Sequence, residues 1–268
     1  MKLLASLIFS GITFTSLALA HDHDSSHGEQ KSTTKVDLVT DVDSLKAGPI
    51  ILKVQLKQGQ KSLGARDIEE SHTQLVHAFL VDQTLTQFRH EHPEWDGKAW
   101  VLKTNLENGG SYKLWIQAKV KNGNEVTLSK ALKVSGTPAR AQGFLPKLQS
   151  EVDNVVVKLA GDAVKAGEQS TLKFSVSRKD GSPLKLESYL GAAAHVVAIH
   201  EKNDEMAHMH PLNEEAVSPF ETHAAFEKPG NYRIWAQFKE NGKLLTIPFT
   251  LQVAKGSSSK KQMDHSKH

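Results

Sequence analysis

The chain has 268 residues, with 33 Lys and Arg against 30 Asp and Glu, 14 His, no Cys and a formal net charge of +3. Without cysteine there is no disulfide scaffold and no thiolate metal site, so a metal could be held only by imidazole, carboxylate, thioether or backbone. The basic residues are scattered rather than gathered into a stripe with interleaved aromatics, which argues against nucleic acid as a partner.

At the start, Lys2, the apolar run Leu3 to Leu17 and Ala18-Leu19-Ala20 have the layout of a secretory signal peptide over residues 1–20, cleaved after Ala20. The run is too short for a spanning helix and no comparable run follows, so the mature chain is expected to be periplasmic without a transmembrane segment. Residues 21–34 are polar and His-rich and read as a flexible arm. Cleavage leaves His21-Asp22-His23 at the new amino terminus. There the amine, two deprotonated amides and the His23 imidazole can form the square-planar nitrogen set favoured by Cu(II) and Ni(II), and His21 can add its own ring.

Between the ends the chain repeats itself. Lys46-Ala47-Gly48 answers to Lys165-Ala166-Gly167, and Gly110-Ser111-Tyr112-Lys113-Leu114-Trp115 to Gly230-Asn231-Tyr232-Arg233-Ile234-Trp235. Asn122-Gly123 likewise answers to Asn241-Gly242. Ile50 to Leu56 and Ser170 to Val176 alternate apolar and polar residues as half-buried strands do. Both Asn-Gly pairs lie between apolar runs and predict hairpins with tight primed turns. Tyr112, Trp115, Tyr232 and Trp235 are expected to pack in the cores. The fold class predicted is all-β, with two tandem immunoglobulin-like β-sandwich domains over 35–135 and 151–254, a linker at 136–150 and a flexible tail at 255–268.

One pattern recurs with identical spacing. His77 is followed thirteen residues later by His90-Glu91-His92-Pro93, and His195 by His208-Met209-His210-Pro211. With Gln83 to Thr86 as a loop, a hairpin that pairs Asp82 with Gln87 sets His77 opposite His92. His90 then lies diagonally across, on the same face. The second copy places His195 opposite His210, with His208 diagonal and Glu201 to Asp204 as the loop. Each triad can converge on one metal, so each unit is expected to carry its own site. Met206 shares the parity of His208 and His210, and its thioether beside three imidazoles favours copper, with zinc or nickel as alternatives. Phe88 takes the place of Met206 in the first unit, which ranks the second site higher. Glu91 and Met209 face away, and no nucleophile with an associated base is found, so an enzyme is not expected. His72, His200 and His223 have no counterpart in the other unit and read as structural or surface residues.

The stretch from Tyr189-Leu190-Gly191-Ala192-Ala193-Ala194-His195 through His208-Met209-His210-Pro211 to Pro229-Gly230-Asn231-Tyr232-Arg233-Ile234-Trp235 resembles exported immunoglobulin-like domains of bacterial copper- and heavy-metal-handling proteins. The resemblance covers most of residues 165–253 and extends more loosely to 46–134. It implies a copper-associated periplasmic role carried by His195, His208 and His210. The expected function is therefore copper sequestration, or delivery to a periplasmic or membrane metal-handling protein. The alternative is a non-catalytic envelope module that binds a protein partner.

Overall fold

From Ile50 to Leu56 every second side chain is buried, while Ile51, between Ile50 and Leu52, is 64% exposed, so one strand face makes core and the other meets solvent. The same alternation, repeated along the chain, builds the whole structure, a computed structural model that describes residues 35–256 except 162, 213, 214 and 216. Residues 1–34, with the expected signal peptide and with His21 and His23, and the residues after Gly256 lie outside the described residues. Among the described residues no helix is long and apolar enough to cross a membrane.

The first sandwich comprises β1 (Asp37–Thr40), β2 (Ser44–Lys46), β3 (Gly48–Gln58), β4 (Lys61–Ser62), β5 (Ile68–Glu69), β6 (Val76–Asp82), β7 (Phe88–Glu91), β8 (Glu94–Trp95), β9 (Trp100–Leu106), β10 (Gly110–Val120) and β11 (Glu125–Ser135). One sheet runs β1-β3-β9-β8 with β4 beside β3, and the other β2-β11-β10-β6-β7 with β5 beside β10. The second sandwich comprises β12 (Gln149–Val152), β13 (Val155–Ala160), β14 (Gln169–Arg178), β15 (His195–His200), β16 (Met206–Met209), β17 (Phe220–Ala225), β18 (Gly230–Glu240) and β19 (Lys243–Val253). Its sheets are β12-β13-β14-β17 and β16-β15-β18-β19. Each sandwich has its own core, around Leu52, Trp100 and Leu114 in the first and Phe174, Ile234 and Phe249 in the second. The fold is thus two tandem immunoglobulin-like β-sandwiches. Both carry the tyrosine corner of that architecture: the Tyr112 hydroxyl donates to the Asn108 carbonyl at 2.9 Å and the Tyr232 hydroxyl to the Lys228 carbonyl at 3.0 Å.

The two Asn-Gly hairpins differ. Glu240 pairs with Lys243, and the two residues between them, Asn241 and Gly242, have φ of 50° and 74°, as a primed turn requires. In the first sandwich the ladder closes earlier, with Val120 N–H donating to the Asn124 carbonyl. The extra loop residue leaves only Asn122 at positive φ, 56°, so the tight primed turn expected there is replaced by a longer loop.

Strands β6 and β15 break the one-sided rule, for every residue in each is buried. Val76, Ala78 and Leu80 face the first core and Val196 and Ala198 the second. Their alternate residues Phe79, Val81, Val197 and Ile199 form a third apolar cluster with Leu85, Phe88, Trp115 and Trp235. That cluster joins the outer faces of the two sheets, so the sandwiches pack on each other through β6, β7 and β10 of one and β15, β16 and β18 of the other. Trp115 and Trp235, expected in the cores, lie here instead. Phe88 stacks on Trp235 with centroids 4.5 Å apart, and Met206 packs against the same cluster. Residues 136–148 are also held: Gly109 bridges to Pro138 and Lys147 to Thr250, while Phe144 joins the apolar cluster.

Candidate metal centre between the sandwiches

The histidine hairpins fold in the register the spacing implies. Ala78 pairs with Glu91 and Phe79 with His90, while Val196 pairs with Met209 and Val197 with His208. One step beyond these pairs, His77 faces His92 and His195 faces His210, just where Pro93 and Pro211 end the ladders. Ring centroids within each triad are 4.7–5.5 Å apart in the first and 4.4–5.4 Å in the second.

The expectation of one separate site per sandwich needs correction, because both triads lie on the faces that meet. His208 is 5.2 Å from His77 and 5.4 Å from His90, centroid to centroid. Among the described residues two sets of ligand nitrogens come within 4.8 Å of one another: His195, His208 and His210, and His77, His90 and His208. The second triad assembles as read from the sequence. In the first, His208 of the other sandwich completes the group with His77 and His90, while His92 stands beside it with a buried Nε2 that has no hydrogen-bond partner. Met206, on the same face, packs its side chain against the apolar cluster.

Hydrogen bonds at the rim fix the tautomers. Gln117 donates its amide nitrogen to Glu125 at 2.6 Å, which turns its oxygen toward His208 Nδ1 at 2.7 Å. Gln237 donates to Thr246 at 3.0 Å and presents its oxygen to His90 Nδ1 at 2.8 Å. Each glutamine comes from the opposite sandwich, so the exchange is reciprocal. His77 Nε2 donates to the Ser71 carbonyl at 3.0 Å and His195 Nε2 to the Tyr189 carbonyl at 3.1 Å. With those four protons placed, His77 Nδ1, His90 Nε2, His195 Nδ1 and His208 Nε2 are all bare lone pairs. They face one another at 3.2 Å in both sandwiches, and His210 Nε2 lies 3.0 Å from His195 Nδ1. Two nitrogens bound to one metal at about 2.0–2.1 Å with tetrahedral angles would be about 3.3 Å apart. Lone pairs at this separation repel unless an electrophile sits between them, and protons are disfavoured. Burial holds His90 and His208 well below the usual imidazole range, with the neighbouring His92 and His210, respectively, adding to it. Burial also takes His92 down to about 4, His195 to about 3 and His210 to about 2.

Gln237 and Gln117 are residues that the motif alone does not reveal, although both recur in the repeat at the positions paired with His195 and His77. The variant Gln237→Leu leaves His90 Nδ1 without an acceptor. Urea denaturation should show a loss of about 1–3 kcal/mol. His72, expected as a structural or surface residue, is exposed, and it also stacks on His210 with centroids 3.4 Å apart. His200 does face away from the triad: it bonds Asp204 at 2.7 Å and its ring lies 5.1 Å from Tyr232. His223 is exposed on β17. Glu91 and Met209 are turned from the cluster, Glu91 accepting from Thr104 at 2.6 Å and Met209 lying in the second core.

The family model for a domain of unknown function, DUF8832, matches residues 29–136 and again 150–255. The chain belongs to the DUF8832 family. Its two DUF8832 domains are the two sandwiches, and the description carries no mention of copper or heavy metals, so the resemblance drawn from residues 189–235 is not supported at that level. No curated protein matches the chain in sequence. Among solved structures, the two DUF8832 domains are similar to the fibronectin(III)-like modules of Clostridium thermocellum CbhA, at 13% identity over 87% of this chain and 99% of that one, with a TM-score of 0.23. They are also similar to the Escherichia coli adhesin FdeC, at 13% identity over 83% of this chain and 65% of that one, with a TM-score of 0.27. Domains 4 and 5 of the S-layer protein SbsC give 15% identity over 82% and 98%, with a TM-score of 0.23. Likenesses of this size carry no argument about function.

Proposed function

We propose that the two DUF8832 domains form a non-catalytic metal-binding protein that holds copper in the histidine cluster between them. The observation that carries this reading is the two pairs of bare nitrogens, His77 Nδ1 with His90 Nε2 and His195 Nδ1 with His208 Nε2, each 3.2 Å apart in a pocket that disfavours protons. Neutral imidazole suits copper in both oxidation states, and zinc and nickel remain chemically acceptable. The outer hydrogen bonds from Gln117, Gln237, Ser71 and Tyr189 are of the kind that orient metal-binding imidazoles. Glu91, the carboxylate within the histidine motif, is turned from the cluster onto Thr104 and so does not serve it as a general base, which supports storage or transfer rather than hydrolysis. Export to the periplasm through residues 1–20, extra Cu(II) capture by His21 and His23, and hand-over to a periplasmic or membrane metal-handling protein complete the reading.

A second reading, an envelope module that binds a protein partner, has one observation in its favour. His210 Nε2 can carry a proton and donate to His195, so part of the cluster can satisfy itself without metal. Melting separates the two. Copper at 100 times its dissociation constant should add about 2.7 kcal/mol if it binds only the folded state. The shift should vanish when His195, His208 and His210 are all replaced by alanine, while any binding at the amino terminus remains. An unshifted melt of the unaltered protein would favour the second reading.

A further inference from the structure

We propose that His72 is the port through which the ion reaches and leaves His195, His208 and His210, an inference that rests on the metal-binding reading above. Exposure falls in order along three touching imidazoles. His72 is exposed, His210 partly buried and His195 fully buried. His72 lies parallel to His210, with 20° between the planes, and His210 Nε2 is 3.0 Å from His195 Nδ1. The parallel stack keeps the His72 nitrogens from converging with the triad, and His72 is in neither ligand group. It is therefore placed to pass an ion on, not to hold it.

The turn that carries His72 supports this. Ser71 and Gln74 exchange both backbone hydrogen bonds across His72 and Thr73, whose φ values are 50° and 62°. Non-glycine residues avoid this region, a β-branched one most of all, and the strain costs about 1–3 kcal/mol per residue. The second sandwich has the same turn at Tyr189 to Ala192, with Leu190 at 52° and a glycine, Gly191, at 75°. Both turns use their first carbonyl to accept from a buried histidine, His77 or His195. Leu190-Gly191 performs that task with less strain, so the His72-Thr73 pair is not needed for it. What the strained turn adds is an imidazole reaching from one sandwich over the triad of the other. The two turns meet, since a Cβ on Gly191 would lie 3.3 Å from Thr73 Cγ2.

The test uses the full chain, with Cu(I) supplied and withdrawn anaerobically by bicinchoninate, because the square-planar amino-terminal set suits Cu(II) instead. A group on the path but absent from the bound state lowers one barrier shared by both directions, so it changes both rates and leaves their ratio alone. His72→Ala and His72→Leu should each slow loading and withdrawal by about tenfold, a barrier increase of about 1.4 kcal/mol, with the dissociation constant unchanged. Leu190→His, which gives the other turn its own imidazole, should speed both. Unchanged rates in the His72 variants would overturn the port. A dissociation constant weakened through faster withdrawal alone would also overturn it, by making His72 a ligand of the bound ion. If the unaltered protein takes up no Cu(I), the metal-binding reading itself fails.

Discussion

Between pH 6.5 and pH 5 the metal-free protein is expected to lose most of its stability. His90, His92, His195, His208 and His210 are all held below the ordinary imidazole value, chiefly by burial. Above pH 6.5 they are neutral folded and unfolded, and they cost nothing. As pH falls below 6.5 the unfolded chain binds protons that the folded one refuses, so stability declines until the folded values, about 4 for His92 and about 3 for His195, are reached. Each group that stays neutral contributes about 1.4 kcal/mol per pH unit. Over the roughly 1.5 units from pH 6.5 to pH 5 five such groups sum to about 10 kcal/mol, or about 5 kcal/mol when mutual coupling halves the sum, against the usual 5–15 kcal/mol of a folded protein. The cheapest way to admit the protons is to part the sandwiches at the histidine face. Trp115 and Trp235, buried in that face, should then become exposed before Trp100 does in its own core. Thermal melts by tryptophan fluorescence from pH 7.5 to 4.5 will show it. Bound metal must displace protons, so copper should move the transition to lower pH. A melting temperature that is flat from pH 7 to 5 would contradict the buried cluster.

Replacing Phe79 with alanine should be the most damaging single change at the interface. Its side chain is fully buried, stacks on His90 at 4.4 Å and meets the edge of His208 at 5.0 Å. Removing it empties the wall shared by histidines of both sandwiches, at a cost of about 3–5 kcal/mol in urea denaturation. Copper affinity should fall together with stability, although Phe79 lies in a different sandwich from His195, His208 and His210. Loss of stability with undiminished copper binding would mean that the second triad works alone.

The hairpins were legible because strand periodicity is two. With Gln83 to Thr86 and Glu201 to Asp204 as loops, parity and register place all three imidazoles of each copy on one face. Which surface that face would meet was not legible, since sheet pairing is local and the packing of two outer faces is not. A signal was present all the same. Val76 to Val81 and His195 to Ile199 are unbroken apolar runs apart from their histidines, as expected of strands covered on both sides. Phe79, Val81, Val197 and Ile199 have the parity of the histidines, so the histidine face is apolar along most of its length. The stack of His72 on His210 is not legible in the sequence because its partner lies in the other sandwich, 138 positions along the chain. Met206 was placed on the correct face, but parity could not distinguish a thioether beside the triad from one packed into the interface.

The location of the ion tests the central claim most directly. Crystals of the full-length protein grown with copper, with anomalous scattering recorded at the copper edge, should show density between the sandwiches. The ligand nitrogens of His195, His208 and His210, or of His77, His90 and His208, should lie at about 2.0–2.1 Å from it. Copper found only at the termini, with His77, His90, His195 and His208 still facing one another around an empty centre, would contradict the account.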